Sequence, residues 1–126
     1  MIALTAVSFS IVLGALAVFQ TLLIAGLPIS RFAWGGQSPV LPPRLRPAAI
    51  ASIAVYVIFA FTALSRTGVI ATVVPAQLLV VSMWVITGYL FFSILPNLAS
   101  KSLYEKRLMA PVSALLATFA LLIALS

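Results

Sequence analysis

The chain has 126 residues, of which 64% are hydrophobic and only 6% charged, with a formal net charge of +6. A soluble domain carries about a quarter of its residues as charge, so a soluble globule is excluded. The length fits one domain, and apolar runs of about 20 residues are what an α-helix needs to cross hydrocarbon. An integral membrane protein is the reading left. In a soluble protein such a basic balance would point to nucleic acid. Here the basic residues lie between apolar runs, with no dense Lys/Arg segment or nucleic-acid module. The expected counter-charge is anionic phospholipid, and no nucleic-acid partner is expected. With no Cys and no His, disulfides, thiolate nucleophiles, His-ligated haem and most zinc sites drop out. No cofactor or metal site is expected.

The first apolar run extends from about Ala3 to Leu27 and stops at Pro28. Ala15-Leu16-Ala17 resembles a signal-peptide cleavage site, but no basic segment precedes it and the run continues beyond, so a retained helix is expected. Ala6, Ser10 and Gly14 recur every fourth position. This small-xxx-small pattern lets helix backbones approach closely, within a bundle or against another protein. Gln20 is a polar group in the inner half of the helix.

The connector RFAWGGQSPVLPPRLR, 31–46, follows. Phe32 and Trp34 suit the headgroup region, where a ring can be half wet. Gly35-Gly36 permits a chain reversal, and Pro39, Pro42, Pro43 and Pro47 stop helix from running through it. Arg31, Gln37, Arg44 and Arg46 supply charge and hydrogen bonding. A purely topogenic turn and a specific lipid or partner contact both fit these residues.

The second span is expected over 48–64, with Pro47 at a helix start, where its missing N–H costs nothing. Residues 66–74 form a short connector, and Pro75 opens a third span over 75–95. Gln77 falls near the outer end of that span and, with Gln20, is a candidate for a polar path. Asn97, Ser100, Lys101 and Ser102 form a polar cluster after it. Ser102-Leu-Tyr-Glu105 has the S-x-x-E capping-box pattern in front of the fourth span, 103–125. Glu105, the only acid in the chain, therefore has a structural task in capping and local charge pairing; a proton-carrying role is the sharper alternative.

Connector one holds Arg31, Arg44 and Arg46 and connector three holds Lys101, Lys106 and Arg107, whereas connector two has only Arg66. The positive-inside rule then puts 28–47 and 96–107 in the cytoplasm and both termini outside. Short connectors favour an all-α, up-down-up-down four-helix bundle. No Asp, Glu, Lys, Arg or His falls mid-span, which argues against proton-coupled transport, cation pumping and voltage sensing, since such groups mark those pathways. The soluble-enzyme motifs are absent, and a single acid cannot form a catalytic pair.

Two stretches, GLPISRFAWGGQSPVLPPRLRPA and NLASKSLYEKRLMAPVSALL, resemble the cytoplasmic connectors of a family of small four-span bacterial membrane proteins. That family has an RFAWGGQ-like loop followed by LP and LR, then an N-x-x-S-x-S-x-x-E-[KR]-x-x-M-x-P segment. The match runs through 31–37, Leu41-Pro42, Leu45-Arg46, Asn97, Ser100, Ser102, Glu105, Lys106, Met109 and Pro111, about a third of the chain. The resemblance implies a multi-pass protein of a bacterial inner membrane and carries no established activity. Small multidrug-resistance transporters need an acid in the first span, and dual-topology fluoride channels need a weak charge bias; neither holds here. The expected function is non-enzymatic. The leading expectation is an accessory or interaction subunit of a larger assembly, touching lipid or a partner through Arg31, Phe32, Trp34, Gln37, Arg44, Arg46, Asn97, Ser100, Ser102 and Glu105. The alternative is a small homo-oligomeric channel or carrier for an anion or neutral solute.

Overall fold

The computed structural model describes residues 2–32, 40–100 and 102–126. Among them the chain is all-helical, with four long helices: α1 (Ile2–Ile24), α2 (Arg46–Arg66), α3 (Ala76–Leu98) and α4 (Leu103–Leu125). Each is long and apolar enough to cross a membrane, so this is a multi-pass membrane protein. Its outer surface agrees: Phe92, Leu4, Ile11 and Val85 are each at least 65% exposed.

The helix ends follow local chemistry. α1 stops at Ile24, before Pro28, because Gly26 takes φ +96°. The Gly26 amide then donates to the Leu23 carbonyl (3.1 Å) and the Leu27 amide to that of Leu22 (3.2 Å). This is the Schellman arrangement, which satisfies the last helical carbonyls. α2 ends the same way, with Gly68 at φ +77°, its amide on Ser65 O (3.2 Å) and the Val69 amide on Leu64 O (3.0 Å). Pro47 lies in the first turn of α2, and Pro75 sits immediately before α3 in extended backbone. Pro96 and Pro111 lie inside α3 and α4, which run through them.

α1 packs chiefly on α2 and α3 on α4, forming two antiparallel hairpins. Slighter contacts between α1 and α4 and between α2 and α3 close the bundle. The end bearing the first and third connectors is here called the basic end. Away from it lies a dry core of Ala6, Phe9, Leu13, Ala63, Met83, Ile86, Ala117, Ala120 and Ile123. Lipid tails are as apolar as these side chains, so close van der Waals packing, helped by the small residues of α4, holds the helices together. Within the small-residue series of α1, Ala6 is fully buried, Ser10 is half-buried and Gly14 is exposed. Four-residue steps drift around a 3.6-residue helix, and the buried line instead follows Phe9, Leu13, Gln20 and Leu23.

A second small cluster sits at the basic end. Leu41 folds back from the first connector onto Leu23 and Ala49, with Phe19, Ile29 and Leu45 around them. The 3-10 turn Ser30–Phe32 leans on the start of α4, where the Phe32 and Tyr104 rings meet edge to face at 5.4 Å. The first and third connectors therefore meet at one end of the molecule.

Candidate functional site

Between the four helices, in the half nearer the basic end, lies a cavity of about 510 Å³. α1 contributes Leu16, Phe19 and Gln20, and α2 contributes Ser52, Val55, Tyr56 and Phe59. α3 contributes Tyr89, Leu90, Ser93, Pro96 and Asn97. Ser100 and α4, through Glu105, Met109, Val112, Ser113 and Leu116, complete the wall. In a chain this apolar, polar side chains from every helix converge on one space.

Most of the polar groups are already engaged, and the directions of their bonds set the character of the wall. Asn97 Nδ2 donates to the Ser93 carbonyl (3.1 Å) and across to Ser113 Oγ on α4 (2.6 Å). An amide nitrogen has two hydrogens, so both are engaged and Oδ1 is left as an acceptor. The hydroxyls of Ser52 and Ser93 donate to the backbone oxygens of Ala48 (3.0 Å) and Leu90 (2.6 Å) in their own helices. Each hydroxyl oxygen keeps lone pairs. Gln20, 6% exposed, and Tyr56 line the cavity from α1 and α2. Elsewhere Ser10, Thr62 and Thr87 also donate to the carbonyl four residues back, at 2.7–2.8 Å. These hydroxyls therefore serve their own helix.

Ser102 caps α4 as its sequence pattern anticipates, its Oγ accepting from the Glu105 amide at 3.3 Å, and the Ser102 amide donates to Ser100 Oγ (3.1 Å). Glu105 is only 6% exposed and contributes to the cavity wall, while its neighbours Lys106 and Arg107 are exposed. The residue whose amide meets the cap hydroxyl thus also lines the cavity. At the edge between α2 and α3, Phe59 and Tyr89 meet edge to face at 5.7 Å and form part of the wall.

The structure brings together Gln20, Asn97, Ser100 and Glu105 from the residues singled out in the sequence. Gln77 is exposed in the first turn of α3, at the other end of the bundle, and does not line the cavity. Arg44 and Arg46 are exposed at the basic end, outside the cavity wall. Arg31 lies in the 3-10 turn with Phe32. Trp34, Gln37, Gly35-Gly36 and Lys101 lie outside the described residues. Tyr56 and Ser113 are also members of the wall. Searches against protein-family models, curated proteins and solved structures found no match to this chain.

Proposed function

We propose that this integral membrane protein is non-enzymatic and binds a small organic solute in the cavity between its four helices, as a carrier does. The supporting observation is the convergence of Gln20, Tyr56, Ser93, Asn97, Ser113 and Glu105 on one space of about 510 Å³. Ligand sites are typically 300–1,000 Å³, mostly apolar, with a few placed polar groups. The dry core beyond the cavity supports a carrier more than an open channel, because a through-path would have to cross closely packed helix. With no His, no Cys and one acid, the chain is nearly without the general acid–base groups that enzyme chemistry uses most often, which supports the non-enzymatic reading. Exposed Arg44, Arg46, Lys106 and Arg107 suit anionic phospholipid headgroups on the cytoplasmic side of a bacterial inner membrane.

The second reading, an accessory subunit of a larger assembly or a self-associating chain, is favoured by Gly14. A Cβ built there meets nothing within 4 Å, so this stretch of α1 offers a partner helix close approach. Native mass spectrometry of the protein released gently from its membrane separates the two readings. The solute reading expects a small-molecule adduct that a cavity-filling Val112→Phe variant loses. A stoichiometric larger protein with no adduct would overturn it in favour of the subunit reading.

A further inference from the structure

If the cavity holds a solute, as proposed above, one pair of its wall residues fixes the class of that solute. Asn97 Nδ2 uses both hydrogens within the protein, on the Ser93 carbonyl (3.1 Å) and on Ser113 Oγ (2.6 Å), so its amide retains only the Oδ1 lone pairs for a guest. Ser113, 9% exposed, takes part in that bond as acceptor, and its own hydrogen meets no acceptor among the described residues. An acceptor and a buried donor thus stand side by side in the cavity wall. A guest hydroxyl answers both, donating to Asn97 Oδ1 and accepting from Ser113. An ether or carbonyl oxygen answers only the donor.

The wall also selects against charge. Among the described residues it holds no Lys or Arg. Its one acid, Glu105, already interacts with another group of the protein. A charged head buried here would lack a counter-charge of its own, which costs far more than burying a paired hydroxyl.

The body of the guest follows from the depth and the sides of the cavity. Leu90 lies seven residues before Asn97 on α3, roughly 10 Å deeper at 1.5 Å per residue, and with Phe59 and Leu116 it makes that depth apolar. Cover is thinnest at the seam between α2 and α3. There Tyr89 and Pro96 are exposed and Ser52, Tyr56 and Phe59 half-buried, whereas the wall residues of α1 and α4 are all buried or half-buried. In a bilayer this seam meets lipid tails, so a guest with an apolar body has a route in from the membrane. A volume of about 510 Å³ is that of a drug-sized guest, not of a two-chain phospholipid.

We propose that the cavity takes a single-chain alcohol from the bilayer, with its uncharged hydroxyl between Asn97 and Ser113 and its apolar chain along Phe59, Leu90 and Leu116.

The test uses the full chain in lipid nanodiscs and four photoreactive probes that share a decyl chain bearing a diazirine. Their heads are a hydroxyl, a methyl ether, a sulfate and a primary ammonium. Labelled residues are mapped by peptide mass spectrometry, and saturable labelling is that removed by the same compound without the diazirine. The expected result is saturable labelling of the cavity wall by the alcohol. The ether should be weaker by about fivefold, the value of one hydrogen bond, and the two ions should label only lipid-facing residues. The double variant Asn97→Leu with Ser113→Ala should weaken the alcohol by about tenfold and bring it level with the ether. Circular dichroism establishes that the variant folds, and the four-probe comparison on the unaltered chain stands without it. Ether labelling as strong as the alcohol, or full alcohol labelling in the folded variant, would overturn the hydroxyl assignment and leave the cavity as a solute site. Preferred labelling by the sulfate or the ammonium would overturn the uncharged head in the same way. Saturable wall labelling by none of the four would also overturn the assignment, and the native adduct measurement would then decide the solute reading separately.

Discussion

Asn97 joins two helices with one amide: its Nδ2 reaches Ser113 Oγ on α4 while remaining bonded to the Ser93 carbonyl of α3. Polar pairs of this kind in membranes couple by about 0.6 kcal/mol on average and up to about 1.7. A double-mutant cycle of Asn97→Ala and Ser113→Ala, read from unfolding in bicelles, should return a value in that range, and zero coupling would remove the pair as a structural link. The glycines divide more sharply. Gly26 and Gly68 hold φ of +96° and +77°, so alanine at either should cost roughly 1–2 kcal/mol. Gly14 lies within α1 with open space around its Cα, so Gly14→Ala should leave the isolated chain unchanged or stabilise it by up to about 1 kcal/mol. The same unfolding measurement distinguishes the two classes of glycine.

At the scale of the helix, α1 carries the choice between the two proposed functions. If Gly14 faces a partner, Gly14→Leu should dissociate the native assembly while helicity and cavity binding persist. If the face meets only lipid, the assembly is unaffected; native mass spectrometry reads the difference. The existence of four helices and their turn chemistry was legible from sequence, because length, Pro and Gly act locally. Pro75 before α3 and Ser102 before α4 are examples. The inward faces were not legible. A helix apolar all round has no amphipathic stripe to reveal its buried side, so spacing did not show that Gln20 faces a cavity, whereas the outer position of Gln77 was legible from its place at the start of the third span. The Ala6, Ser10 and Gly14 series likewise reads as one face by spacing, yet in space it runs from the core to the surface. Glu105 was legible as part of a cap; that it is buried in a cavity wall depends on the packing of α4 against the other helices, which no local pattern encodes.

For the whole molecule, the distribution of basic residues makes a sidedness prediction that the chain is suited to test, because it has no Cys. A single cysteine at Val73, fully exposed in the second connector, should react with a membrane-impermeant maleimide in intact cells. One at Val40, exposed in the first connector, should react only after permeabilisation. The opposite pattern would invert the topology. Arg66, the one basic residue of the second connector, stays charged and counts against the bias without reversing it; its guanidinium donates to the Ser126 backbone oxygen at 2.6 Å, at the end of α4, where the helix dipole favours a cation.

The division into two hairpins bears on how the protein is made. Each hairpin has most of its helix contacts within itself, so each can enter the bilayer and pair as a unit, as in stepwise association of inserted helices. The cavity has walls from both hairpins and exists only once they dock. Residues 67–75, between α2 and α3, are the one stretch of backbone joining them. Co-expressed fragments 1–70 and 71–126 should therefore reassemble, detectable by co-purification. Mutations at the seams should abolish ligand binding while leaving both halves inserted and helical. Binding competence would then be the last property acquired during biogenesis and the first lost under stress.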